Sequence, residues 1–122
     1  MVMMRHLARA ALVCAVWSVV LAAQSQEQDA TELRQERAQA ELDAPKLVDV
    51  LGVTPGMTIA DVGSGGGSMT VVLGKWIGSG HVFATDVTAH ALRWTRQEVK
   101  NAGLTNVTVI EGAAAATNLP DA

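Results

Sequence analysis

The chain has 122 residues, a formal net charge of −3 and one cysteine, and 49% of its residues are apolar. That length accommodates one domain at most. Its nine Lys and Arg residues are scattered, which argues against a nucleic-acid-binding stripe, and the lone Cys14 excludes an internal disulfide framework.

Arg5, His6 and Arg9 precede an uncharged, mostly apolar run over residues 10–23, which ends in small residues. The run is shorter than the ~20 residues a membrane-spanning helix needs. Residues 1–25 therefore read as a signal peptide, cleaved after Ala23 or Ser25, which directs the chain to the periplasm or the medium. An uncleaved anchor is the alternative, and either way the membrane is met only through this segment. Cys14 serves there as apolar filler.

Residues 26–43 are polar and rich in Glu, Gln, Arg and Ala, the composition of a solvated helix or a linker. The domain proper is expected over residues 44–122. Pro45 suits the first turn of a short helix with Leu47, Val48 and Leu51 on one face, closed by Gly52. Thr54-Pro55-Gly56 supplies a turn.

A first strand is expected over residues 57–62, apolar enough to be buried on both faces. It breaks into Gly63-Ser64-Gly65-Gly66-Gly67, and a helix follows to about residue 77 with Met69, Val72, Leu73 and Trp76 forming a stripe. Residues 81–85 form a second strand that closes on Asp86. Thr88 caps a helix carrying Leu92, Thr95, Val99 and Ala102 on one side. Residues 107–110 are a third strand, followed by an alanine-rich loop. Alternating strands and helices specify an α/β fold, a Rossmann-like doubly wound parallel sheet. Only its first three strands are present. In such sheets the first strand has a neighbour on each side, so the sequence is expected to be a fragment or to need a partner for the missing half.

A strand, a glycine turn and a helix N-terminus form a cradle for a phosphate or a nucleoside. The dinucleotide pattern Gly-x-Gly-x-x-Gly fails, because counting from Gly63 its last position falls on Ser68. The pattern present is Asp-x-Gly-x-Gly-x-Gly, at Asp61, Gly63, Gly65 and Gly67. With Asp86 ending the second strand, and Asn106-Val107-Thr108-Val109-Ile110-Glu111-Gly112 followed by Leu119-Pro120, the chain resembles the class I S-adenosylmethionine-dependent methyltransferases. The likeness covers residues 44–120, about the N-terminal half of the usual catalytic domain. Its phrasing is most similar to the small-molecule branch that includes ubiquinone-biosynthesis and arsenite methyltransferases.

The resemblance implies S-adenosyl-L-methionine as cofactor and a small molecule as methyl acceptor. It implies that Gly63, Ser64 and Gly65 hold the amino-acid end of the cofactor, with Gly67 closing the turn. Asp86 would bind the ribose hydroxyls, a carboxylate being able to accept from both. Val87 would pack on the adenine. Asp61 would orient the turn or reach the cofactor's ammonium through water. The family usually places an acid near the adenine amino group where this chain has Ala113, so only backbone could serve there. No catalytic residue can be named, because the family's acceptor-binding residues come mainly after the fourth strand. No His or Cys stands at metal-ligand spacing, and nothing indicates an oligomeric state.

Export sits uneasily with a cytoplasmic cofactor. It gives weight to a non-catalytic nucleoside-binding module, a reading that Ala113 also favours. A nicotinamide-dependent oxidoreductase is a third reading, disfavoured by Ser68.

Overall fold

The computed structural model describes residues 2–121, with side chains described for residues 17–121. Its elements are α1 (Val2–Leu51), β1 (Thr58–Val62), α2 (Ser68–Ile77), β2 (His81–Asp86), α3 (Ala89–Asn101) and β3 (Val107–Glu111). Two compact units are distinguished, Met1–Arg34 and Gln35–Ala122. The first is helical. The side chains of Arg5, His6, Arg9 and Cys14 lie outside the described residues, and those of residues 17–28 are exposed.

The second unit holds one three-stranded sheet in the order β1-β2-β3. Thr58 to Val62 lie beside His81 to Thr85, and Val82 to Asp86 beside Val107 to Glu111, both pairs parallel. Parallel neighbours need crossovers, and α2 and α3 supply them. The central strand β2 is the most buried, with Val82 and Ala84 fully enclosed. Val48, Leu73, Ile77 and Val82 form the core, with Val53, Ile59, Met69 and Val107 packed against it.

Three expectations from the sequence change here. The first strand is not buried on both faces: β1 alternates between exposed and half-buried residues, and Val62 is 62% exposed. Among the described residues it pairs with β2 alone and forms an edge of the sheet.

The helix expected to begin at Pro45 does not begin there, since α1 runs through that residue. A proline inside a helix costs ~3 kcal/mol. Here Ala40, Ala44 and Val48, four residues apart, bury one face of α1, and packing of this kind outweighs local preference. The expected stripe of Leu47, Val48 and Leu51 accordingly contributes only Val48, while Leu51 stays exposed. The helix closes after Leu51 as anticipated: Val53 N–H donates to Val48 O and Gly52 N–H to Asp49 O, a Schellman closure.

Finally, α2 buries Thr70, Val71, Leu73, Gly74 and Ile77, whereas Trp76 is 44% exposed. The buried face is the one with the smaller side chains. A Cβ on Gly74 would lie 2.9 Å from Leu104 Cδ1, so the missing side chain lets Leu104 and Val107 close onto the helix.

Candidate cofactor site

The site lies at the C-terminal ends of β1 and β2, where the chain leaves β1 through Gly63–Gly67. Gly63, Gly65 and Gly67 all have positive φ (80°, 53° and 84°), a region costly for any residue with a Cβ. The turn is held from several sides. Gly63 and Ser64 donate their N–H groups to Thr85 O at 2.8 and 3.0 Å, tying the turn to β2. Gly65 N–H donates to Asp86 Oδ2 at 3.1 Å. From α3, fully buried Thr95 donates its hydroxyl to Gly65 O at 3.1 Å and meets Ser64 Oγ at 3.1 Å. A hydroxyl carries one hydrogen, so Ser64 is the donor in the second contact. Gly67 packs flat on α3, where a Cβ would fall 2.7 Å from Thr95 Cα.

Asp61 is tied to α2. Its Oδ2 accepts from the hydroxyl of Thr70, in the first turn of α2, at 2.5 Å. Its observed work is to join the end of β1 to the start of α2.

Asp86 Oδ1 accepts from the Thr88 N–H at 2.9 Å and from the Thr88 hydroxyl at 3.1 Å. Thr88 Oγ1 in turn accepts from Ala91 N–H at 3.2 Å and so caps α3. The Thr88 N–H is the main cause holding the Asp86 carboxyl below the ordinary aspartate range; partial burial opposes it, and the Gly65 N–H and Thr88 hydroxyl add to the lowering. A carboxylate offers about four acceptor positions. Three are used, and the open one is on Oδ2, beside the glycine turn. Simultaneous capture of two hydroxyls therefore requires the Thr88 hydroxyl to turn its hydrogen away from Oδ1.

Next to Asp86 is an open cleft of about 780 Å³, lined by Val62, Gly63, Val87, Gly112, Ala113 and the rest of the loop to Leu119. Val87 is 59% exposed and, like Val62, offers an apolar surface to it. Ala113 lies in the lining, but its N–H donates to Ala116 O and its carbonyl accepts from Ala116 N–H. Its N–H is thus unavailable to a ligand, and only the second lone pair of the carbonyl remains. Thr85 fastens the same loop by donating its hydroxyl to Thr117 O at 3.1 Å. A shallower groove of about 540 Å³ lies along the glycine turn, lined by Gln39, Asp43, Ser64, Gly66, Ser68 and Met69 among others. The Ser68 hydroxyl is buried without a hydrogen-bond partner.

Gly63, Asp86, Val87 and Ala113 thus line the cleft, Gly63, Ser64 and Gly65 line the neighbouring groove, and the bond from Gly65 to Asp86 joins the two; Gly67 packs on α3 and Asp61 bonds to α2. Sequence reasoning missed the threonines that hold this arrangement together. Thr70, Thr85 and Thr95 are all buried, and the only signal available is a hydroxyl standing on a helix or strand face otherwise destined for the core.

A parallel β-α-β-α-β sheet with a glycine turn after its first strand and an acid closing its second is half of a Rossmann-like nucleoside-binding fold. Residues 59–122 match the family model described as a methyltransferase domain. The chain belongs to that family. It is 34% identical over 74 residues to a protein-L-isoaspartate O-methyltransferase of Methanococcoides burtonii, a match covering 57% of this chain and 36% of the relative. Among solved structures, an S-adenosylmethionine-dependent methyltransferase from Aquifex aeolicus is similar with a TM-score of 0.61 and 35% identity, covering 65% of this chain and 43% of that one. An O-methyltransferase from Thermotoga maritima gives a TM-score of 0.52 at 32% identity, covering 55% of this chain and 26% of that one. The chain therefore spans less than half the length of these relatives, and the part it matches is a Rossmann-like N-terminal half.

S-adenosylmethionine is the cofactor of this class, and the residues present fit it. Nothing lies within 4 Å of where a Cβ on Gly63 or Gly65 would stand, so a ligand can approach that backbone closely. Asp86 is ionised with an acceptor position open, and the cleft beside it has apolar walls for a base. The buried Ser68 hydroxyl adds an unused donor near the turn.

Proposed function

We propose that this chain is the cofactor-binding half of an exported S-adenosylmethionine-dependent methyltransferase with a small-molecule acceptor. The observation that carries the reading is the Asp86 carboxylate, ionised and held by Gly65 and Thr88 at the mouth of an open cleft. In this reading Asp86 Oδ2 accepts from a ribose hydroxyl, and Val62 and Val87 flank the adenine. Gly63, Ser64 and Gly65 present backbone to the amino-acid end. Gly67 and Asp61 fix the turn, and Ala113 contributes surface and a carbonyl lone pair to the base.

The cofactor supplies an activated methyl group on sulfur, and the transfer is an in-line displacement that needs little covalent help from protein. The chain's share is orientation: a rigid turn and a ribose anchor place the methyl so that an acceptor can approach along the breaking bond. Acceptor-binding residues and any base are expected from outside this half. The phrasing of the sequence favours a small acceptor, such as a quinol precursor or arsenite. Methyl transfer to an isoaspartyl peptide in preference to these would count against it.

Export rests on residues 1–25. Among the described residues no helix is long and apolar enough to cross a membrane. Terminal sequencing of the processed protein should begin at Gln24 or Gln26, and a protein that keeps Met1 in the cytoplasm would contradict the assignment.

A second reading, a nucleoside-binding module without turnover, is favoured by Ala113 standing where an acid would hold the base. Photocrosslinking with methyl-labelled S-adenosylmethionine tests the shared binding step. Labelling competed by S-adenosylhomocysteine but not by reduced nicotinamide dinucleotide supports both readings, and transfer to an acceptor then selects the enzyme.

A further inference from the structure

Thr95 lies on α3, away from the chain's own cleft lining, yet it makes three contacts with the glycine turn. Its hydroxyl donates to Gly65 O, its oxygen accepts from Ser64, and its Cα is the surface on which Gly67 rests. The Gly65 N–H is held by Asp86 at the same time. The two peptide groups flanking Gly65 are thereby held from opposite sides, by a carboxylate on β2 and a hydroxyl on α3.

A stretch with four glycines in five residues has far more conformations to lose than an ordinary sequence of that length. Left to itself it would bind a ligand only after ordering, and that cost would be subtracted from affinity. Among the described residues, Thr95 is the one side chain that bonds to both Ser64 and Gly65. Its hydroxyl turns the Gly65 carbonyl toward α3 and leaves the opposite side of the turn for a ligand.

We infer that Thr95 is a positioning residue for the cofactor's amino-acid end: it acts through Gly65 and touches no ligand itself. The inference rests on the cofactor reading above. It also carries a specificity. The adenosine end is held by Asp86 and the apolar cleft, so Thr95 should govern ligands that carry the amino-acid end and leave bare adenosine unaffected.

The test compares Thr95→Val, which keeps the shape and removes the hydroxyl, with Thr95→Ser, which keeps the hydroxyl. Calorimetric titration with S-adenosylhomocysteine should show about tenfold weaker binding for T95V, with a more unfavourable entropy, and T95S should lie within about threefold of wild type. Adenosine should bind all three alike. Equal losses for both ligands, or no loss in T95V, would overturn the inference. Amide exchange in the free protein supplies a ligand-independent arm. The Gly65 amide should exchange at least tenfold faster in T95V than in T95S or wild type, while amides of β2 keep their rates. Uniform acceleration across the sheet would mean a general loss of stability and would also overturn it. A wild type that binds neither ligand would refute the cofactor reading itself, a failure separate from that of a turn whose order ignores Thr95.

Discussion

The N–H of Gly65 donates to Oδ2 of Asp86 at 3.1 Å, joining the glycine turn after β1 to the acid that ends β2. This bond spans 21 residues of sequence and ties the turn to an acid that lines the cleft. It places the site where open α/β sheets bind ligands, outside the carboxyl ends of adjacent strands.

Because Thr88 and Gly65 donate to it, the Asp86 carboxyl is held below the ordinary aspartate range. A group with a depressed folded pKa adds stability above its unfolded value, and that stability is lost as pH falls through the folded value. Thermal melts of wild type and Asp86→Asn should differ at neutral pH, and the gap should narrow only below about pH 4. Binding of S-adenosylhomocysteine should likewise stay level from pH 8 to about pH 5 as far as Asp86 is concerned. A ribose-linked loss of affinity near pH 6 would contradict this.

Two glycine substitutions should separate folding from binding. Gly67→Ala places a Cβ 2.7 Å from the backbone of Thr95 at a residue with φ of 84°. Strain of this φ alone costs ~1–2 kcal/mol, and the clash must add to it, so denaturant melts should show a loss well above that. Gly63→Ala meets no neighbouring atom. It should lose only the strain of ~1–2 kcal/mol in melts while binding the cofactor poorly, because the new methyl stands on the open side of the turn.

Glu98 on α3 is buried and ion-paired with Arg37 on α1, whose own side chain is 49% exposed. Removing one partner of a fully buried pair costs ~3–5 kcal/mol. Exposure of Arg37 softens that figure, so Arg37→Ala should cost about 2 kcal/mol in chemical denaturation. Glu98→Gln, which leaves no buried charge, should cost less. Identical effects would mean that the pair does not anchor α1.

In the proposed cofactor pose, Ala113 stands where the base would otherwise meet a side-chain acceptor. Ala113→Asp should strengthen S-adenosylhomocysteine binding by ~1 kcal/mol, the usual worth of one hydrogen bond. That is about a fivefold lower Kd by calorimetry. Inosine-bearing analogues, which lack the amino donor, should not gain.

What the sequence made legible is what neighbouring residues decide among themselves. The three strands, the turn at Gly63–Gly67, the cap at Thr88 and the acid at Asp86 each follow from local patterns, and each stands within a residue or so of its expected place. Contacts between distant segments were not legible. The burial of Ala40, Ala44 and Val48 carries α1 through Pro45, which locally reads as a helix start, and the closeness of Leu104 to Gly74 turns α2 away from its Trp76 stripe. β1 has the composition of a central strand but the exposure of an edge, because composition cannot say which neighbours are at hand. In the site, the position of the glycine turn was readable. The supporting hydroxyls of Thr70, Thr85 and Thr95 were not, since their partners lie 9 to 32 residues away.

In the proposed function Asp86 anchors S-adenosylmethionine at this turn. Calorimetric titration of the leader-free protein with S-adenosylhomocysteine, wild type against Asp86→Ala, tests it most directly. Binding should be saturable in the wild type and weakened in the variant by ~1.5–3 kcal/mol, as expected for hydrogen bonds to a charged group. That is roughly ten- to more than a hundredfold in Kd. Equal affinity in a variant whose melting curve matches the wild type would remove Asp86 from the site and contradict the account.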